Sequence, residues 1–214
     1  ETTEVTYKKK LWISVSSVLF MTTLMDLLLK QSDILMVSYF LGNTKAGIYS
    51  VAAKLATLAS LGLSVADYVI MPKISALYES KQFIKLQKLI RTASFQILSI
   101  SLPVIIAMAV FGKMILGFFG KPYADAYMPL LILLIGQLIN AGTGMVGGLL
   151  TMTGHHRMFF SFYAIAIFIQ FVLNSILIQY YGITGAAIGS SLGLVFLNIT
   201  AYMYVRKRLR IKAS

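Results

Sequence analysis

Four charged residues sit where a membrane chain normally has none. Asp26, Lys30 and Asp33 interrupt an apolar run over 11–41, and Lys54 interrupts the run that follows. At 100° per residue the first three fall within about 60° of one another and share one helix face. The two runs meet at Gly42-Asn43-Thr44-Lys45, which reads as the turn of a helical hairpin. With that turn centred between Asn43 and Thr44, Asp33 and Lys54 lie at one depth, roughly 15 Å below it. An ionisable side chain in hydrocarbon costs at least about 2.5–3.5 kcal/mol, so each needs a partner, a protein interior or a water-filled cavity. Two arrangements meet that need. Asp33 with Lys54, and Asp26 with Lys30, can neutralise each other and hold the hairpin together, or the four can line a polar pathway. Two amide pairs pose the same choice. Gln137 and Asn140, three apart, share a helix face, as do Gln170 and Asn174, four apart. They serve either as interhelical hydrogen bonds worth about 0.6–2 kcal/mol each or, if they converge, as the lining of a cavity for sugars, phosphates or ions.

The chain that must position them is 58% hydrophobic and only 12% charged, with a mean hydropathy of +0.81. A soluble domain carries about 25% charged residues, so this is an all-α, polytopic membrane protein. Six spans are expected, at about 11–41, 46–71, 92–119, 124–152, 158–180 and 183–205. The first is longer than the hydrocarbon core and must tilt, bend or project; Trp12 at its start suits an interfacial anchor. Pro72 is expected to end the second span, leaving Asp67 in reach of water, and Pro103 to kink the third. Gly120-Lys121-Pro122-Tyr123 reads as a tight turn. Gly144 and Gly148, and the series Gly185, Gly189 and Gly193, have the spacing of small faces on which helices approach closely; the latter could also join copies. Outside the spans, residues 1–10 form a basic linker and 206–214 a basic tail. In 73–91, Phe83, Leu86 and Ile90 recur at helical spacing against Lys81, Lys85 and Lys88. That segment reads as an amphipathic helix on an anionic membrane surface or as a solvated connector.

The net charge of +12 does not mark a nucleic-acid partner, because the basic residues gather at span ends. Six spans put 1–10, 73–91, 153–157 and 206–214 on one side, with most of the 19 basic residues. By the positive-inside rule that side, with both ends of the chain, is cytoplasmic. The chain has no cysteine and no HExxH or Walker-type pattern, which argues against an enzyme or an ATP-driven machine. No cofactor is expected. The adjacent His155 and His156 point about 100° apart on a helix and do not make a zinc pair, so no metal site is expected.

Four stretches carry a resemblance: SDILMVSYFLGNTKAGIYSVAAKLATL at 32–58, MPKISALYESKQFIKLQKLIRTAS at 71–94, FGKPYADAYMPLLILLIGQLINAGTGMVGGLLTMTGHHR from 119 (its Phe) to 157, and YYGITGAAIGSSLG at 180–193. In this order and spacing the chain resembles the C-terminal half of bacterial O-antigen and polysaccharide flippases, within the multidrug, oligosaccharidyl-lipid and polysaccharide exporter superfamily. The resemblance implies one six-helix lobe of a twelve-helix exporter fold in the bacterial inner membrane, and a missing N-terminal lobe of the same protein as partner. It implies alternating-access transport of undecaprenyl-diphosphate-linked oligosaccharide among membrane lipids. Lys30 and Lys54 would then attract the diphosphate or an acidic glycan, and Asp26 and Asp33 would tune them or exchange a coupling H+ or Na+. The rivals are a cation-coupled drug exporter of the same fold and a non-transporting scaffold of glycan assembly.

Overall fold

A computed structural model describes the backbone of residues 9–209 and the side chains of 16, 17, 20, 21 and 23–208. Among these residues every regular element is helical. Helix α1 (Lys9–Leu41) turns at Gly42 into α2 (Asn43–Leu58), which bends by 49° into α3 (Leu61–Glu79). After α4 (Phe83–Phe118) comes a 3-10 turn (Lys121–Ala126), then α5 (Tyr127–Thr143), the short α6 (Val146–Met152) and α7 (His156–Tyr204). A π-type turn, Val205–Leu209, follows.

Helix α7 has 49 residues, roughly 73 Å of helix and more than twice the hydrocarbon thickness of about 30 Å. It does not run straight. Gly182 adopts φ 58, ψ −138, a conformation open mainly to glycine, and the chain folds back there. A Cβ added to Gly185 would overlap the Leu177 carbonyl, one on Gly189 would overlap the Asn174 amide oxygen, and one on Gly193 would lie 3.0 Å from Gln170 Cβ. The two limbs, 156–181 and 183–204, therefore lie antiparallel with their backbones in close approach. The expected small face on Gly185, Gly189 and Gly193 is thus used within the chain.

Packing divides the bundle into two hydrophobic cores. One gathers Leu29, Ile74, Leu86, Ile90, Leu149 and Phe159; the other gathers Val37, Tyr49, Ala52, Leu116, Leu130 and Ile178. Each chain segment that passes between them carries a polar or helix-weakening residue on the way. These are Asp33 on α1, Ser60 at the α2–α3 bend, Ser101 and Pro103 on α4, Gln137 and Asn140 on α5, Gln170 and Asn174 on the first limb of α7, and Ser190 on the second.

Among the described residues, three stretches are long and apolar enough to cross a membrane: Phe83–Phe118, Lys121–Thr143 and His156–Arg208. The bent pair α2 and α3 makes a fourth if it is one span. Several boundaries differ from those expected. Helix α3 does not end at Pro72 but continues through it to Glu79. Pro72 lies on an exposed face, as does Tyr68, whose carbonyl loses its helical donor to the proline. The segment 73–91 is not one helix: its start completes α3, Ser80 to Gln82 turn, and its end begins α4. Lys81 there has φ 57, and Leu86 and Ile90 turn into the core rather than toward a surface. Helix α4 starts at Phe83, earlier than the expected 92, and continues past Pro103 to Phe118. The segment 124–152 is broken at Gly144 (φ 66, ψ −146), so Gly144 forms a break and not a helix-packing face. Residues 1–8 of the expected linker, 210–214 of the tail and the Trp12 side chain lie outside the described residues.

Candidate functional site in the polar layer

The turn at Gly42 decides what Asp33 meets. Gly42 takes φ 83, ψ 167 with helices on both sides, so the reversal needs one residue rather than four. The hairpin register moves with it. Asp33 faces Tyr49, not Lys54: Tyr49 Oη donates to Asp33 Oδ2 at 2.7 Å. Lys54 lies five residues, roughly 7.5 Å and about 140° of helix rotation, beyond Tyr49. It is exposed and makes no ion pair among the described residues, so the expected pairing of Asp33 with Lys54 does not form.

Asp33 is buried, at 4% exposure, and joins four segments. Ser190 Oγ, from the second limb of α7, donates to the same Oδ2 at 2.8 Å. The Ile34 backbone N–H donates to Oδ1 at 2.8 Å. Behind Ser190 stands Gln170 of the first limb, whose amide donates to Ser190 Oγ and to Ser32 Oγ, each at 3.3 Å. The result is a relay from Gln170 through Ser190 to Asp33, met from the other side by Tyr49. Such a network satisfies a carboxylate that hydrocarbon could not hold. Gln170 Oε1 and both amide atoms of Asn174 are buried without a partner among the described residues. The relay therefore ends on unspent hydrogen-bonding capacity inside the bundle.

A second constellation sits nearer the core that contains Leu29. Lys30 Nζ pairs with Asp26 Oδ2 at 2.7 Å, with side chains 57% and 36% exposed, as one of the two expected arrangements has it. Tyr163 Oη donates to Asp26 Oδ1 at 3.0 Å and ties the pair to α7. Asp67 is no solvated helix end. It lies half-buried in the middle of α3, within electrostatic reach of Lys30, Asp26 and Tyr163. Gln137 and Asn140 bond to each other at 3.2 Å, half-buried on α5. The eight residues singled out from sequence thus fall into separate groups. Asp33 and Gln170 are joined by hydrogen bonds and buried, with Asn174 buried one turn along from Gln170. Asp26 with Lys30, and Lys54, face outward, and the α5 amides form a pair of their own.

Tyr49, Ser190, Ser32, Tyr163 and Asp67 were not foreseen as site residues. Hydroxyls at one-turn spacing along apolar helices are common and give little signal. Only the register set by Gly42 and Gly182 makes Tyr49 and Ser190 stand out.

The family described as "Polysaccharide biosynthesis protein" matches residues 4–129, more than half of the chain. The chain belongs to that family. It is similar to the capsular polysaccharide biosynthesis protein CapF of Staphylococcus aureus, 27% identical over 169 residues, covering 78% of this chain and 42% of CapF. It is also similar to the probable low-salt glycan biosynthesis flippase Agl15 of Haloferax volcanii, 22% identical over 181 residues, covering 84% of this chain and 38% of Agl15. The chain thus spans about two fifths of the length of these curated relatives. No solved structure matches. Its long apolar helices make this member of the family a multi-pass membrane protein.

Proposed function

We propose that the chain is the C-terminal lobe of a flippase that passes undecaprenyl-diphosphate-linked oligosaccharides across the bacterial inner membrane by alternating access. On this reading the lobe crosses the membrane six times: α1, α2 with α3, α4, α5 with α6, and the two limbs of α7, with both ends cytoplasmic. A second lobe of the same protein faces it across a central cavity. The protein is a transporter and not an enzyme. The family match and the relative named a flippase support the substrate class.

The observation that carries the reading is the outward exposure of Lys30, Asp26 and Lys54 on helices otherwise apolar. A charge at that depth facing acyl chains is expensive; facing a hydrated cavity it is not. Lys30 and Lys54 attract the diphosphate or acidic sugars, and Gln137 with Asn140 offers hydrogen bonds to glycan hydroxyls. Asp33, Gln170 and Asn174 lie behind this face and serve the coupling step, in which Asp26 and Asp33 exchange H+ or Na+. The test is charge reversal in the full-length protein. Lys30→Glu and Lys54→Glu should each abolish surface polysaccharide while membrane insertion is unchanged. Lys30→Glu replaces the exposed pair with Asp26, worth at most about 1 kcal/mol, by a like-charge pair that costs a similar amount, so the check on membrane insertion separates lost transport from misfolding. Unchanged glycan with either reversal refutes the cavity role, and drug efflux without a glycan phenotype favours the drug-exporter reading.

A further inference from the structure

Two helices of the bundle differ from the rest in how they are tethered. Helix α3 starts at the 49° bend after α2 and ends at Glu79, before the turn that holds Lys81, the one non-glycine residue with positive φ among the described residues. Helix α6 (Val146–Met152) is flanked by Gly144 (φ 66) and Gly154 (φ 80). Each is a rigid segment with a non-helical joint at both ends. The α2–α3 joint falls in the polar layer between the two cores, and the joint at Gly144 lies just past that layer, between Ala141 and Met145 of the first core. At the α2–α3 bend, Ala59 and Ser60 donate their N–H groups to carbonyls only three residues back, at 3.2 and 3.0 Å, and the Ser60 hydroxyl takes the Thr57 carbonyl at 2.7 Å. At the other joint, the Thr143 hydroxyl bonds the Asn140 carbonyl at 3.0 Å and Asn198 at 3.1 Å. Hydroxyls thus satisfy backbone groups that the breaks release, which is what permits a broken helix at membrane depth.

The two segments pack on each other, as their continuations α2 and α5 do, and also on their neighbours, α3 on α4 and α6 on α7. A Cβ on Gly148 of α6 would lie 3.2 Å from Met71 Cε and 3.5 Å from Asp67 Oδ1, both on α3. By contrast α1, α4 and each limb of α7 pass the polar layer as unbroken helices. We propose that α3 and α6 swing as one panel on these paired joints, against a frame of α1, α4 and α7 that stays fixed. The lobe is then not a rigid body. The panel carries Asp67 toward or away from Asp26 and Lys30 on the frame, so its position is sensed by the charged face.

Large angular changes absorbed at a few loop or helix-end residues are the hallmark of a hinge. The test uses spin-label pairs in the full-length protein in proteoliposomes; this chain contributes no native cysteine. Tyr68 on α3 paired with Phe168 on α7 reports the panel, and Tyr39 on α1 paired with Val110 on α4 reports the frame; all four are exposed. The panel pair should give a broad or two-peaked distance distribution and the frame pair a single narrow one. Equally narrow distributions overturn the proposal, and this readout does not depend on the flippase reading. Disulfide locks supply the second arm, which does. A Cβ on Gly62 of α3 would lie 3.3 Å from Ile100 Cβ on α4, close to the about 3.5–4.5 Å of a disulfide. Oxidised Gly62→Cys/Ile100→Cys should lower surface polysaccharide at least tenfold and recover it on reduction. Oxidised Met71→Cys/Gly148→Cys, which ties the panel to itself, should leave it within twofold. A lock across the joint without effect, or loss with the lock inside the panel, overturns the proposal.

Discussion

The fold-back of α7 can be tested with a single methyl group. In Gly185→Ala the new Cβ would overlap the Leu177 carbonyl oxygen and crowd the Ile178 backbone nitrogen, 2.9 Å away. Both neighbours are backbone, so no side chain can rotate aside and the two limbs must part. Overpacking of this kind costs about 1–3 kcal/mol where side chains can adjust, and the upper end applies here. Alanine returns at most about 1 kcal/mol through its better helix propensity, which leaves a net loss of about 2 kcal/mol. Gly148→Ala is the control. Its nearest neighbour is the end of the Met71 side chain at 3.2 Å, which can move, so overpacking and propensity nearly cancel. Reversible unfolding of the full-length protein in mixed micelles, titrated with a denaturing detergent, measures both. If Gly185→Ala unfolds within about 0.5 kcal/mol of the parent, the range of an ordinary surface substitution, the limbs are not in contact at this point and the antiparallel reading of α7 is wrong.

Tyr49→Phe removes one of the two side-chain donors to Asp33 Oδ2 and should cost about 1–2 kcal/mol, the upper range for a bond between helices in a bilayer; combined with Ser190→Ala the loss should exceed the sum, as a double-mutant cycle would show. Gly42→Ala meets no atom within 4 Å, so its cost is purely conformational. It should destabilise the hairpin by about 1–3 kcal/mol, and the same unfolding assay should find Gly47→Ala, equally uncrowded but within α2, neutral or slightly stabilising.

Composition was enough to make the chain helical and membrane-borne, because so high an apolar content leaves the backbone no other way to satisfy its polar groups. Turn positions were legible too: Gly42, Gly120 and the break near Gly182 fall where glycine and polar residues interrupt the apolar runs. What sequence could not supply was register. Reading Gly42 to Lys45 as the turn displaces the centre of the hairpin by a few residues, and that shift exchanges Tyr49 for Lys54 opposite Asp33. Pro72 misled for a related reason. Its local preference ends helices, but an exposed proline late in α3 is tolerated because the surrounding turns hold it. Gly144 shows the converse, since spacing alone does not separate a glycine that packs a helix from one that breaks it. The amide pair on the first limb of α7 was recognised by its four-residue spacing. That Gln170 would reach Ser190 depended on the fold-back, which lies in tertiary structure.

The spacing of the Asp33 partners along the chain also orders events on the ribosome. Tyr49 follows Asp33 by 16 residues, whereas Ser190 follows it by 157. At about 5–20 residues per second, Tyr49 is made within roughly 1–3 s and Ser190 only after roughly 8–30 s. For that interval α1 and α2 hold a carboxyl group in the membrane with one of its two side-chain donors, and the first limb of α7 enters with Gln170 and Asn174 exposed until the second limb closes over them. The second limb of α7, made long after α1, is thus the one that completes the surroundings of Asp33, and a nascent chain released before residue 190 would leave Asp33 without its second donor for quality control to find.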